Sequence, residues 1–159
     1  MNLPTLIVRH QRENRKKCSL RYITHRPDMH FLTYPLRGPL PDMTHYFLLD
    51  VEGAPLTKED ASKGILLLDG HWKHVSPMRQ ILPPTIARRT LPSTLRTAYP
   101  RKQTDCPDPQ RGLASIEALY IAYRLMGRPA ETLLTDYYWK NPFLRDNAEV
   151  LQTLFPGKS

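Results

Sequence analysis

The stretch "GILLLDGHWKHVSPMRQILP", residues 64–83, decides the fold. Its run "ILLLD" (65–69) is apolar up to Asp69, which is typical of a parallel strand that is buried on both faces. Gly70 follows and permits a sharp turn or the close approach of a ligand. "HWKHVSPMRQIL" (71–82) predicts a helix that Pro77 disturbs. The stretch therefore predicts a buried strand, a turn and a helix, with a carboxylate at the turn.

Four further strand candidates flank this stretch. They are "TLIVRH" (5–10), "MHFLTY" (29–34), "HYFLLDV" (45–51) and "IARRTL" (86–91). A short helix is predicted over "TKEDASKG" (57–64), where Thr57 and Asp60 have the spacing of a capping pair. Strands that alternate with short helices indicate an α/β fold with a five-stranded, mostly parallel sheet.

The character of the chain changes after residue 91. Residues 92–112 contain four prolines and no clear periodicity, and such a long irregular stretch inside a compact domain is usually functional or disordered. Helical patterns follow at 114–127, 129–140 and 141–155. We therefore predict an N-terminal α/β sheet region over 1–91 and a helical C-terminal region over 92–159, which together form one compact unit.

Basic residues are concentrated in two segments. The chain has a net charge of +8, and residues 1–111 hold 18 of its 23 basic residues and 10 of its 15 acidic ones. The segments 9–21 and 88–111 contain six basic residues each. Such a concentration indicates a face that binds a polyanion, with nucleic acid as the expected partner; a basic surface that only contacts solvent is the alternative. The predicted RNA-binding residues are Arg9, Arg12, Lys16, Lys17, Arg88, Arg89, Arg96, Arg101 and Lys102.

The sequence shows no features of a membrane-spanning segment, a signal peptide or a metal site. No apolar run approaches the ~20 residues that cross a bilayer, and the N-terminus has its apolar run before its charges, the reverse of a signal peptide. We expect a cytoplasmic protein without a membrane partner, with a monomer slightly favoured. Cys18 and Cys106 are expected to be free thiols. His71 and His74 lack a carboxylate or thiolate at matching spacing, so no metal site is predicted.

Asp69 is the candidate functional carboxylate. In an open α/β sheet, ligands bind beyond the carboxyl ends of the strands, where Asp69 is predicted to lie. Trp72 supplies a flat ring and one N–H donor. The spacing equally allows Asp69 to cap the following helix while Trp72 belongs to the core. Glu117 either caps its own helix or orients the loop at Asp69, and the sequence leaves both open.

The turn "DGHW" (69–72), together with its flanks, resembles the signature of a superfamily of RNA aminocarboxypropyltransferases. One branch modifies small-subunit rRNA and typically reads Asp-Cys-Ser-Trp, and the DTW-domain branch modifies tRNA and reads Asp-Gly/Ala-Thr-Trp. Three more stretches match in order: "RKKCS" (15–19), "RQILP" (79–83) and "LASIEA" (113–118). His71 departs from both signatures. The N-terminal cysteine cluster of DTW-domain proteins is missing, which favours the rRNA-type branch.

The resemblance implies a SPOUT-like fold with a deep trefoil knot, in which S-adenosylmethionine lies between the sheet and the helical half. It implies that the Ser19 hydroxyl reaches the ribose and that the cofactor loops surround the adenosine largely through backbone contacts. The cofactor-binding residues that it implies are Ser19, Leu49, Asp50, Leu68, Trp72, Leu91, Pro92, Ser93, Leu113, Ala114 and Ser115.

The implied reaction transfers the 3-amino-3-carboxypropyl group of S-adenosylmethionine to N3 of a uridine or pseudouridine in rRNA or tRNA. The proton on N3 must leave as the nitrogen attacks, and Asp69 suits a general base or a positioning group. The reaction releases methylthioadenosine and requires no metal. The alternatives are a SPOUT-type RNA methyltransferase that uses the same cofactor and a catalytically inactive RNA-binding module.

Overall fold

Five parallel strands form the centre of the computed structural model, which describes residues 2–12, 18–70, 72–100 and 112–157, with the backbone alone over 72–74. The order of the strands across the sheet is β2-β1-β4-β3-β5. Their bounds are Thr5–His10 (β1), Met29–Tyr34 (β2), Tyr46–Pro55 (β3), Gly64–Asp69 (β4) and Ala87–Thr90 (β5). Every pairing is parallel, so the five predicted strands and the α/β class are confirmed.

Strand β4 lies in the middle of the sheet because both of its faces are apolar. Side chains alternate between the two faces of a strand. Leu67 therefore belongs to a core cluster with Ile116 of helix α2 (Ser115–Leu125), while Leu66 packs in a second cluster with Met78 of helix α1 (Trp72–Arg79). The continuous apolar run and the helix that follows it are thus explained by burial on both sides.

The helical half differs from the prediction in two places. The helix predicted over 129–140 is wrong: a 3-10 helix spans Glu131–Leu134, and the bonds from Tyr137 N to Leu134 O and from Lys140 N to Tyr137 O continue the same tight three-residue spacing. The helix predicted over 141–155 is two helices, α3 (Lys140–Asp146) and α4 (Ala148–Leu154).

Asn147 separates these two helices because its side chain bonds to a distant loop. Its Oδ1 accepts from the backbone N of Arg96 at 2.8 Å, and its Nδ2 donates to the Arg96 carbonyl, also at 2.8 Å. The Thr57–Asp60 capping pair is confirmed at the short 3-10 helix Lys58–Asp60. In the described parts of the chain, no strand follows β5, and no helix there is both long and apolar enough to cross a bilayer.

Strand β3 contains an irregularity that depends on one glycine. Leu49 and Ala54 both pair with Arg89 of β5, so the intervening residues bulge out of the ladder. Gly53 within the bulge has φ +139°, and a Cβ on it would lie 2.7 Å from the backbone carbon of Arg88. Only glycine therefore fits at this approach of the two strands.

We expect Gly53→Ala to lower the free energy of unfolding by about 1–3 kcal/mol, because the new methyl group must displace the backbone of β5. Gly38→Ala is the matched control, since a Cβ on Gly38 meets nothing within 4 Å. Urea unfolding of both variants measures the difference. Equal stability of the two would contradict the close approach of β3 and β5.

Candidate functional site

A buried ion pair lies at the carboxyl end of the two central strands. Arg9 of β1 and Asp69 of β4 are partners in the sheet register. The Nε of Arg9 donates to Oδ2 of Asp69 at 3.3 Å, and the two side chains are 7% and 6% exposed. Because removing one partner of such a pair leaves an uncompensated buried charge, the two strand ends are firmly tied together.

Cys18 and Ser115 complete the bonding of Asp69. The thiol of Cys18 donates to Oδ2 at 3.1 Å, and the hydroxyl of Ser115 donates to Oδ1 at 3.0 Å. Both oxygens of the carboxylate thus accept from side chains that come from different segments of the chain. Asp69 joins strand β1, the turn at Cys18 and the first residue of helix α2.

The Cys18 thiol is held in its protonated form. Burial, and then the negative charge of Asp69, raise the pKa of Cys18 to about 12. The thiol therefore stays a donor to Asp69 at neutral pH, and it is a poor nucleophile there. Cys18 is free, as the sequence predicts, and the structure adds its role as a partner of the carboxylate.

Three of the predicted cofactor positions meet beside Asp69. The Oγ of Ser19 accepts from the backbone N of Ile116 at 3.2 Å, so Ser19 lies at the start of helix α2 next to Ala114 and Ser115. Ser19 and Ala114 are buried, and Ser115 is half-buried. The structure thus brings these three residues together at the start of helix α2, and their contact with the cofactor stays a prediction.

Glu117 fixes the loops on either side of this point. Its fully buried carboxylate accepts from the backbone N of Ala114 at 2.8 Å and from the backbone N of Ala98 at 3.0 Å. The hydroxyls of Thr97 and Tyr137 donate to it at 2.6 and 2.9 Å. Glu117 therefore caps helix α2 and also holds the loop after β5, so it does more than either of the two roles that the sequence left open.

Burial, followed by the charge of Glu117, raises the pKa of the Tyr137 hydroxyl far above its ordinary value. The Tyr137 hydroxyl therefore keeps its proton at neutral pH and donates a hydrogen bond to Glu117. The sequence shows that Glu117 lies in the first turn of a helix, where it can act as a cap. It does not show the bonds to residues 97, 98 and 137, because a local pattern contains no information on such distant contacts.

The other predicted cofactor positions lie around the same end of the sheet, with different surroundings. The Asp50 carboxylate is 5% exposed and accepts from Nη2 of Arg79 at 2.6 Å, which ties β3 to helix α1. Leu49 is buried and Leu68 half-buried. After β5, Leu91 and Pro92 are half-buried and Ser93 is exposed, and Leu113 is half-buried. Trp72 begins helix α1, whereas His71 lies outside the described residues.

One residue of the predicted RNA face, Arg9, does not lie on the surface. Arg9 is buried and cannot belong to an exposed surface, because it faces the α2 side of the sheet, where it bonds to Asp69 and lies 4.8 Å from the Phe31 ring centroid. Neighbouring Arg88 and Arg89 project to opposite faces of β5, and they pair with Asp50 and Asp60 respectively.

The remaining members of the predicted face divide into two groups. Arg12 and Arg96 are exposed, as the prediction requires. Lys16, Lys17, Arg101 and Lys102 lie outside the described residues. Over the ranges that the structure describes, no group of three histidine, cysteine or carboxylate side chains has the arrangement of a metal site.

One solved structure resembles this chain over almost its whole length. The structure of the SAM-dependent rRNA:acp-transferase Tsr3 from Vulcanisaeta distributa matches with a TM-score of 0.69 and 19% sequence identity, over 96% of this chain and 83% of that chain. No protein-family model and no curated protein matches the sequence. At this identity the likeness concerns the fold, and at that level it confirms the resemblance predicted from the motifs.

We expect Glu117→Gln to lower the free energy of unfolding by about 3 kcal/mol, because the new amide group would face four donors with only one acceptor atom. Glu131→Gln is the control, since Glu131 is exposed on the same half of the chain. Chemical unfolding followed by circular dichroism measures both variants. A Glu117→Gln protein as stable as the control would show that the four contacts do not hold the loops.

Cys18 is expected to react slowly with iodoacetamide in the folded protein, measured in a Cys106→Ser background. A pKa raised from 9.0 to about 12 lowers the thiolate fraction at pH 8 by about 10³-fold. Because the shift is upward, the alkylation rate of the folded protein should still rise about tenfold per pH unit above pH 9, where the rate of an ordinary thiol with a pKa of 9.0 levels off. Denatured protein provides the reference rate. Rapid alkylation of the folded protein at pH 8 is incompatible with the buried thiol described here.

Proposed function

We propose that this protein transfers the 3-amino-3-carboxypropyl group of S-adenosylmethionine to N3 of a uridine or pseudouridine in RNA, with rRNA favoured over tRNA. The observation that carries the proposal is the arrangement at the carboxyl end of β4. There, Asp69 bonds to Ser115 and to Cys18 of the Cys18–Ser19 turn, in a fold that is similar to that of a SAM-dependent rRNA:acp-transferase. The trefoil knot that the resemblance implies stays a prediction.

The residues at this site suit a bound adenosine. Glu117 holds the backbone of Ala114, which lies within loop 113–115, and that of Ala98, which follows loop 91–93. Backbone groups held in this way can recognise an adenosine without charged side chains. Leu49, Leu68 and Leu113 supply apolar surface near the same strand ends. The cofactor, when bound, provides the electrophilic carbon next to its sulfonium.

In the proposed reaction, N3 of the base attacks that carbon and loses its proton, and methylthioadenosine leaves. We assign Asp69 a positioning role in it. A general base must lie within hydrogen-bond reach of the proton it removes, whereas Asp69 is buried and both of its oxygens already accept from Arg9, Cys18 and Ser115. Its contribution is to hold the strand ends and the start of α2, so that the two reactants meet in line.

The activity is tested by single-turnover transfer with S-adenosylmethionine that is labelled either in its carboxyl carbon or in its methyl group. Purified rRNA and tRNA from cells lacking the protein serve as substrates. We expect the carboxyl label to enter rRNA and the methyl label to leave with methylthioadenosine. Incorporation of the methyl label instead would indicate a methyltransferase. Binding of RNA without either transfer, and without binding of S-adenosylmethionine in calorimetry, would indicate an inactive RNA-binding module.

The role of Asp69 is tested with Asp69→Asn and with the double variant Arg9→Met/Asp69→Asn. The single change should lower the free energy of unfolding by about 3–5 kcal/mol, because Arg9 keeps a buried charge without its partner. The double change removes both charges and should recover most of that loss. For a positioning group, transfer should recover together with stability.

A general base predicts a different result from the same pair of variants. Both would then transfer about 10²–10⁴-fold more slowly than the unchanged protein, whatever their stability. Thermal melting of each variant separates the two effects. Full loss of transfer in a well-folded double variant would overturn the positioning role and indicate that Asp69 acts as the general base.

A further inference from the structure

An arginine and three tyrosines form a cluster that the proposed chemistry does not use. The Cζ of Arg21 lies 4.3 Å from the ring centroid of Tyr22, and its guanidinium also donates to the hydroxyls of Tyr22 and Tyr99, the latter at 3.4 Å. Tyr137 lies beneath them: its ring meets Tyr22 edge-on at 5.8 Å and is parallel to Tyr99 at 6.4 Å. We call these four residues the tyrosine clasp.

The tyrosine clasp is connected to both buried carboxylates of the site. Arg21 Nη1 donates to the carbonyl of Cys18 at 3.1 Å, and the Cys18 thiol donates to Asp69. At the other side, the Tyr137 hydroxyl donates to Glu117. The clasp therefore lies directly beside the point where the cofactor loops meet, and its geometry is fixed by the same bonds that fix those loops.

The accessible part of the clasp has the chemistry of a nucleotide-binding platform. Arg21 is exposed, Tyr22 and Tyr99 are half-buried, and only Tyr137 is buried. Among the described residues, Arg21 has no carboxylate within ion-pair distance, so its charge faces solvent and the rings. A guanidinium plane held over an aromatic ring offers a flat surface to a base and two-pronged donors to a phosphate. Pure packing would not need an exposed cation over the rings.

We propose that the tyrosine clasp binds a single-stranded segment of the RNA substrate next to the modified nucleotide, with one base stacked on its exposed surface and one phosphate paired with Arg21. This rests on the proposed function, because it takes RNA as the substrate. Stacking of bases on aromatic side chains tolerates any sequence, so the clasp orients the strand, and recognition of the modified base remains with the cofactor site.

RNA affinity measures this role independently of transfer. The probe is a fluorescein-labelled, uridine-rich single-stranded RNA of eight nucleotides, titrated at several salt concentrations. The variants are Arg21→Gln, Tyr22→Leu and Tyr22→Phe. Arg124→Gln is the matched control: Arg124 also lies over a ring, 4.1 Å from the Phe155 centroid, but near the far end of α2, about 13 Å along the helix from Ser115.

Arg21→Gln should weaken binding about tenfold and reduce the slope of log affinity against log salt by about 0.7, the value for one phosphate contact on a single strand. Tyr22→Leu should weaken binding about 5- to 100-fold with an unchanged slope, because it removes stacking and no charge. Tyr22→Phe keeps the ring and should bind within about twofold of the unchanged protein. Arg124→Gln should behave as the unchanged protein does.

Several results would overturn the proposal that the tyrosine clasp binds RNA. One is unchanged RNA affinity in Arg21→Gln, whose exposed side chain can be replaced without loss of the fold, as melting checks. Another is an equal loss of RNA affinity in Arg124→Gln, which would indicate that any positive charge on the protein attracts the RNA. Weaker binding of S-adenosylmethionine with unchanged RNA affinity would place the cluster in the cofactor site. A protein that binds RNA through the clasp but transfers nothing would instead refute the proposed function and leave the clasp standing.

Discussion

The buried ion pair between Arg9 and Asp69 is the interaction on which the site depends. Two charges in the interior are costly unless each satisfies the other, and neither can move without the other. Because the partners are registered on adjacent strands, the pair fixes the carboxyl end of the sheet's centre. Cys18 and Ser115 then use the same carboxylate, so the turn after β1 and the start of α2 are held relative to the strands.

Glu117 of helix α2 is a second buried carboxylate of this kind, two residues after Ser115. Its carboxylate is enclosed by four donors, which come from the helix start, the loop after β5 and Tyr137. Two buried acids therefore organise one end of the molecule, and neither has the exposure expected of a group that meets substrate. Rapid transfer between two bound molecules needs fixed geometry to within fractions of an ångström, which is what such anchors provide.

The sequence predicted those features that local chemistry determines. The central strands β1 and β4 can be predicted because a strand that is buried on both faces is an apolar run, and Asp69 because it ends such a run. Arg9 was misassigned for an instructive reason: it belongs to a basic segment by composition, but the alternation along β1 turns it to the same side as Ile7. The prediction of an α-helix over 129–140 is wrong because the backbone there has 3-10 spacing; the Tyr137 side chain in this segment bonds to Glu117, a contact that periodicity does not contain.

The bonds around Asp69 also have a consequence for the order in which the protein folds. Its partners Arg9, Cys18 and Ser115 lie 60, 51 and 46 residues away along the chain, and the bond between Ser19 and Ile116 closes a loop of 97. Such distant contacts are entropically costly until other structure has shortened the loops. During synthesis, the sheet strands are all available before the first turn of α2 exists. We therefore expect the sheet to assemble first around hydrated charges, and the site to form last, when α2 docks and removes water from Arg9 and Asp69.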